Sequence, residues 1–414
     1  MSDTVSPPST ADRASHATTA VRPAGSRRYR LDAFRAIAAM SVVTFHAYQA
    51  NRVPPRWEWP LQGTFLHEVM LATDLFVDLF FVVSGFLLTL PYLRAALGDG
   101  APRGARIFLL KRVARLVPAY YAVVLLVWSV TNPALPGHWE DLLLHLTFTQ
   151  VYSEDYIFWT DGPTWTLAIE IHFALLIAVL GALAQTACRR LPRGGRVAVL
   201  VAGTGGLVLA GVAYKAWAVY VLRAPETSWP VWFGPLAKLD VFAMGIVLAL
   251  VAACGIELHR RSARALTIAG GFALVAGGLV LREEIEVPPA FVHTIFAAGS
   301  ALVIGGFATL TPAGHPGARW LRWRFLLFVG LISYSLYLWH EPLLRFIGFV
   351  GLRPERDSAL AFPVTAILVL GLGIPLAWCS YRVLEQTGMK ILAAFDANGR
   401  PRDYYADAEV SRAR

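Results

Sequence analysis

Ten stretches of this chain are long and apolar enough to cross a lipid bilayer as helices, which restricts the fold before any single residue is considered. They cover residues 33–50, 71–93, 116–131, 164–187, 197–222, 232–254, 265–281, 290–311, 325–349 and 360–384. About 20 apolar residues span the hydrocarbon core as helix, and inside lipid only helices and closed barrels satisfy every backbone group. Composition agrees, with 56% of 414 residues hydrophobic and 16% charged, where soluble domains are about a quarter charged. The expected fold class is an all-α integral membrane protein, multi-pass in a cell membrane. The third span is short and the fifth carries Lys215. The amphipathic stretch 103–115 and the partly apolar 142–151 are expected at the membrane interfaces.

Charge follows the spans. Arg13, Arg22, Arg27, Arg28 and Arg30 precede the first, and Arg94, Arg103, Arg106, Lys111, Arg112 and Arg115 lie between the second and third. Later even gaps hold Arg189, Arg190, Arg193 and Arg196, then Arg260, Arg261 and Arg264, then Arg319, Arg322 and Arg324. The gap between spans three and four has no Lys or Arg, and holds Glu140, Asp141, Glu154, Asp155 and Asp161. Cationic loops stay cytoplasmic, so about ten transmembrane helices with both termini cytoplasmic are expected. The net charge of +9 is thus a topology signal, and no nucleic-acid partner is expected. Residues 1–27, rich in Ser, Thr, Ala and Pro, read as a disordered cytoplasmic tail. Residues 28–390 read as the membrane domain and 391–414 as a second cytoplasmic tail. Cys188, Cys254 and Cys379 are scattered and odd in number, which gives no disulfide framework and no metal site.

Ionisable groups inside spans are expensive and mark functional positions by default. Arg35 and His46 in the first span are eleven residues apart, about 20° past three full turns, so they share a face and stand about 16 Å apart along the axis. A cation at one end and an imidazole at the other could grip one long ligand. The plainer reading is a snorkelling arginine and a structural histidine. Glu170 is expected about 7 Å inside the outer end of the fourth span, at the depth of His46. A carboxylate beside an imidazole raises its basicity and fixes its tautomer, as general-base chemistry requires. Structural pairing fits the same spacing.

Other polar groups are weighed in the same way. Asp74 and Asp78 are four apart and share a face. Ser84 and Gly85 suit close helix approach, and without a GxSxG elbow Ser84 reads as a packing residue rather than a nucleophile. Arg112 and Arg115 share a face, and with Arg35 they would form a cationic mouth suited to phosphates, or else serve topology alone. Asp240, His340 and Glu341 are further intramembrane polar groups, and Tyr334 and Tyr337 could line a polar cavity or pack. His172 faces away from Glu170 and reads as structural; His293 and Lys238 read as interfacial.

Together these segments resemble acyltransferase family 3, the membrane O-acyltransferases of bacteria and their eukaryotic relatives, over about residues 28–390. The family's Arg-x10-His falls on Arg35 and His46, and its FFxxSGF on Phe80 to Phe86 after Asp78. RxxRLxP is Arg112, Arg115, Leu116 and Pro118; WSLxxE is Trp165, Thr166, Leu167 and Glu170; SYSLYLxH is Ser333 to His340; SYRxxE is Ser380 to Glu385. Thr166 stands where Ser is usual, Phe76 where Gly is common, and Gln386 interrupts the usual Glu-x-Pro ending. The resemblance points to a stand-alone membrane domain.

The resemblance implies an O-acyltransferase that moves an acyl group, commonly acetyl, from coenzyme A to a hydroxyl. It implies no permanently bound cofactor, with acetyl-CoA or another acyl-CoA as donor substrate. The acceptor would be a glycan, a lipid-linked sugar or a macrolide-like metabolite. Arg35, Arg112 and Arg115 would bind the donor phosphates, and His46 would deprotonate the acceptor hydroxyl with Glu170 orienting its ring; an acyl-imidazole intermediate is an alternative route. Asp78, Trp165, Tyr337 and His340 are the expected substrate contacts. The rival reading is a transporter or exporter with the His, Glu and Asp set as a proton relay, although the chain shows no clear inverted repeat.

Overall fold

The computed structural model describes residues 31–284, 288–312, 319–356, 358 and 360–393. The tail expected at 1–27 and all but the first three residues of the one at 391–414 lie outside the described residues. In chain order the helices are α1 (Asp32–Ala50), α2 (Phe65–Ala72), α3 (Phe76–Leu97), α4 (Ala105–Thr131), α5 (Trp139–Leu146), α6 (Trp165–Cys188) and α7 (Arg193–Ala216). They continue as α8 (Trp229–Phe233), α9 (Leu239–Ala253), α10 (Arg261–Glu284), α11 (Pro289–Ile304), α12 (Arg324–Phe349), α13 (Ala361–Ser380) and α14 (Gln386–Ala393). Among the described residues, β pairing is confined to one isolated bridge between Val53 and Glu58.

Each of the ten apolar stretches contains a long helix, and eight helical segments are long and apolar enough on their own to cross a membrane. The two outside that eight are α1 and α12, which carry Arg35, His46, His340 and a row of Ser and Tyr side chains. They pack chiefly on each other, and α1 also on α3 and α13. Every residue of α1 is buried or half-buried, so the helix that bears Arg35 and His46 is solvated by protein. At the centre stands α9, 72% of whose span is buried, while α7 and α10 reach 17% and form the rim. Leu209 and Leu266 on those rim helices are 70% and 73% exposed, an apolar surface suited to lipid rather than water.

The helices α3 and α9 cross closely, and the crossing depends on two glycines. A Cβ on Gly85 would strike the Phe242 carbonyl, and one on Gly245 would strike the Val82 carbonyl. Without side chains there, the two backbones meet and gain the van der Waals contact that holds helices together in lipid.

Two sequence expectations are corrected. The stretch 103–115 is not a separate interfacial segment; it is the first part of the 27-residue α4, continuous with the third span through Pro118. Proline removes one helical N–H and so frees the carbonyl four residues earlier, here Ala114. Gly388 of α14 packs directly over that carbonyl, where a Cβ would collide with it. Of the cations in 103–115, Arg112 and Arg115 face an internal cavity while Arg103, Arg106 and Lys111 are exposed. The stretch 142–151 also folds inward: Gln150 and Val151 are fully buried, as are Ile157, Thr160 and Asp161 after it. Lys215, which made the fifth span doubtful, is buried in α7 with its Nζ 2.8 Å from Asp240 Oδ2 on α9.

Candidate active site

Three arginines from two helices line one cavity. Arg35 comes from the first turn of α1, and Arg112 and Arg115 from successive turns of α4. Thr166 and Glu170 of α6, Ser84 of α3, and Ser333, Tyr334 and Tyr337 of α12 complete the polar part of the wall, with Phe80 of α3 on its apolar part, around about 750 Å³ of space with the mouth included. Arg112 Nη2 is ion-paired with Glu170 Oε1, and Ser84 Oγ donates to the same oxygen at 2.8 Å. Arg115 Nε lies 4.0 Å from Glu385 Oε2, whose other oxygen accepts from Ser335 Oγ at 2.6 Å. Tyr334 donates to the Leu116 carbonyl at 2.6 Å and so ties α12 to α4. Three guanidinium groups against one lining carboxylate leave the cavity positive, which draws anions into a low-dielectric site, and guanidinium forks suit phosphate oxygens.

The direct His46–Glu170 contact expected from equal depth is not present. Glu170 is satisfied by Arg112 and Ser84, and it shares the cavity with Arg35, the residue about 16 Å along α1 from His46. The cause lies in the preceding segment. Because residues 150–164 fold into the protein, Trp165 opens α6 inside the bundle, 8% exposed, rather than at an outer surface. Glu170 therefore sits deeper than a count from that surface gives. A buried carboxylate also gains more from an arginine cation than from a neutral imidazole.

His46 is partnered by His340 instead. His340 Nε2 is 3.1 Å from His46 Nδ1, and the rings lie 4.9 Å apart between centroids. The neighbouring carbonyls decide the proton positions, since a carbonyl can only accept. His340 Nδ1 donates to the Tyr337 carbonyl, which leaves His340 Nε2 with a lone pair. His46 Nδ1–H is then shared between that lone pair and the Val42 carbonyl at 3.0 Å. Its Nε2 is left as the basic nitrogen. Tyr337 links the two places: its ring lines the cavity, its hydroxyl donates to the Pro163 carbonyl and accepts from Thr166 Oγ1, both at 3.0 Å, and its own carbonyl orients His340. Thr166, where the family usually has Ser, supplies the same hydroxyl.

Two other expected substrate contacts, Asp78 and Trp165, do not line this cavity. Asp78 Oδ2 is 2.6 Å from His293 Nδ1. Trp165 packs edge-on against Phe233, centroids 4.7 Å apart, beneath Lys238, whose Nζ is 5.7 Å from its ring. His293 and Lys238 are corrected from interfacial to internal: His293 is bonded to Asp78 and Lys238 is 4% exposed, close to where Lys215 and Thr294 hold Asp240 among α3, α7, α9 and α11. Asp74 falls in the 3₁₀ turn Thr73–Leu75 ahead of α3. His172 donates to the Ala168 carbonyl at 2.7 Å, a structural bond. Tyr334, expected to line a polar cavity or pack, lines the cavity; Glu385 stood within its motif without an assigned role, its partner Arg115 lying on a helix far away in sequence. Among the described residues, no group of three or more His, Cys, Asp or Glu side chains is arranged to hold a metal.

Comparison with known proteins identifies the family. A family model described as an acyltransferase domain matches residues 28–382. BcsY of Komagataeibacter xylinus, named as a membrane-bound transacylase, is 26% identical over 388 residues, covering 88% of this chain and 83% of that protein. The O-acetyltransferase OatA of Staphylococcus aureus is 25% identical over 388 residues, 86% of this chain, and the chain spans 56% of OatA's length. Nodulation protein 10 of Rhizobium leguminosarum bv. viciae is 28% identical over 240 residues, 51% of this chain and 60% of that protein. No solved structure gives a significant match. A family match across most of a multi-pass helical bundle places the chain in acyltransferase family 3, the membrane O-acyltransferases.

Proposed function

We propose that the protein transfers an acyl group, acetyl in the simplest case, from acyl-CoA to a hydroxyl of a sugar-containing or secondary-metabolite acceptor, with His46 as the general base. The observation that carries this reading is that Tyr337 lines the three-arginine cavity while its carbonyl holds His340, the partner of His46. Arg35, Arg112 and Arg115 take the donor's phosphates. Glu170 holds Arg112 in place, so it serves donor binding rather than the imidazole. The donor's extended arm runs past Phe80 and Tyr337 and presents its thioester near His46.

The acceptor hydroxyl meets His46 Nε2, which removes its proton as the oxygen attacks the thioester carbonyl. Collapse of the tetrahedral adduct breaks the carbon–sulfur bond, and the imidazolium returns its proton to the departing thiolate. An ester and free coenzyme A result. Throughout, Nδ1–H stays shared between His340 and the Val42 carbonyl, which fixes the tautomer and stabilises the positive ring. His340 thus fills the orienting role that the sequence assigned to Glu170.

Labelled acetyl-CoA supplied to the purified protein, with envelope glycan and lipid-linked sugar extracts as acceptors, tests this. Label should enter an acceptor, and Arg112→Ala and Arg115→Ala should raise KM for acetyl-CoA by about tenfold with a smaller loss in kcat. Label that stays on the donor in every extract removes acyl-CoA from the proposal.

A further inference from the structure

The three-arginine cavity is layered, and the layer next to the histidine pair is largely apolar. Its lining residues on α3 run from Leu88 through Leu87, Ser84, Phe81 and Phe80 to Val77. They follow the three- and four-residue spacing of one helical face and cover about 16 Å along the axis. Ser84 marks the level of the charges, because it donates to Glu170, the partner of Arg112. One turn towards the start of α3 stands Phe80, one turn towards the start of α6 stands Thr166, and one turn along α12 from Tyr334 stands Tyr337. The Thr166 and Tyr337 hydroxyls are 3.0 Å apart, and the Phe80 ring meets the Tyr337 ring edge-on with centroids 5.8 Å apart. These three form one layer, and Val77 stands a turn beyond Phe80.

Two properties of that layer bear on the ligand. It is the part of the cavity beside the histidines, since the Tyr337 ring is 5.4 Å from the His340 ring, and that ring is 4.9 Å from His46. Its lining side chains also carry no charge. Val77, Phe80, Phe81 and Leu167 are hydrocarbon, and the two hydroxyls are taken up by each other and by the Pro163 carbonyl. The next lining side chain along α6 is Glu170, an anion. A carboxylate brought into this layer would lose its water and gain no cation, whereas a short alkyl group gains by leaving water. Length is limited as well, because the Phe80 and Tyr337 rings touch across the space.

We propose that this layer is the acyl pocket, in which Phe80 and Val77 bound the space left for the acyl group. It accepts short uncharged acyl groups and rejects both long chains and groups that end in a carboxylate, such as succinyl. The inference rests on the acyl-CoA reading of the cavity. Phe80 is a specificity-determining residue here and takes no part in proton transfer.

Calorimetric titration of the full chain in lipid nanodiscs, without any acceptor, tests this with four probes: coenzyme A, acetyl-CoA, hexanoyl-CoA and succinyl-CoA. Wild type should bind acetyl-CoA at least about tenfold more tightly than either of the other two thioesters. Phe80→Ala should bind hexanoyl-CoA at least about tenfold more tightly than wild type does, and it should still reject succinyl-CoA. Val77→Ala should shift the ranking the same way by a smaller factor. Leu87→Ala, two turns from Phe80 on the same face, should leave the ranking of the thioesters unchanged. Coenzyme A itself, which has no acyl group, should bind each variant within about twofold of wild type, and this reports an intact fold. Equal affinity of wild type for the three thioesters overturns the proposal. So does an unchanged ranking in whichever of Phe80→Ala and Val77→Ala still binds coenzyme A. Failure of coenzyme A to bind wild type overturns the donor reading, and the pocket with it.

Discussion

Replacing Glu170 with alanine strands the Arg112 guanidinium where the two side chains are only 14% and 16% exposed. Removing one member of a fully buried ion pair costs about 3–5 kcal/mol. The cavity mouth admits some solvent screening, so roughly 2 kcal/mol is expected for this pair. Loss of the Ser84 hydrogen bond to the same oxygen adds about 1 kcal/mol. Arg112→Ala strands the carboxylate at a similar cost, and the double variant removes both charges together, so it should regain roughly 1–2 kcal/mol of the summed losses. The pair His46 and Glu170 shares no partner, so its double-mutant cycle should be additive within about 0.5 kcal/mol. Equilibrium unfolding of the purified protein in mixed micelles, followed by tryptophan fluorescence, measures all five variants on one scale. Additivity in the Arg112–Glu170 cycle together with coupling in the His46–Glu170 cycle would refute the assignment of Glu170 to Arg112.

Lys215→Met leaves Asp240, fully buried, without its cation and should cost about 3–5 kcal/mol in the same assay, much of it regained by Lys215→Met with Asp240→Asn. Gly85→Leu should abolish the monodisperse folded species on size-exclusion chromatography, because even its Cβ meets the Phe242 carbonyl. Gly203→Ala, on a rim helix with nothing within 4 Å of the new carbon, is the control. It should be neutral or stabilising by up to about 1 kcal/mol.

The membrane architecture was legible because span-length apolar runs separated by arginine blocks admit few alternatives, and each expected stretch overlaps one long helix. The arginines and His46 were legible for a related reason: a charge inside a span stands out against its neighbours. Partners were not. Depth along a helix can be counted from its ends, but which neighbour a side chain faces depends on how the helices are arranged around one another. Glu170 and His46 looked paired on depth alone, while the real partner, His340, lay 294 residues from His46. The inward fold of residues 150–164 shifted the origin of that count and hid Asp161 among ordinary acidic loop residues. Pro118 concealed the continuity of α4, since proline more often ends a helix than passes through one. His293 and Lys238 resembled interface residues because each sits near a helix end; only the packing of the helices shows that His293 meets the buried Asp78 and that Lys238 lies over the Trp165 ring.

The rate of acyl transfer in His46→Ala bears most directly on the mechanism. With acetyl-CoA and acceptor both saturating, acceptor-dependent release of coenzyme A should fall by about 10²–10⁴-fold, the range for loss of a general base. Binding of coenzyme A should change by less than about twofold. Turnover within about threefold of wild type, with binding equally intact, would contradict the assignment of His46 as the base.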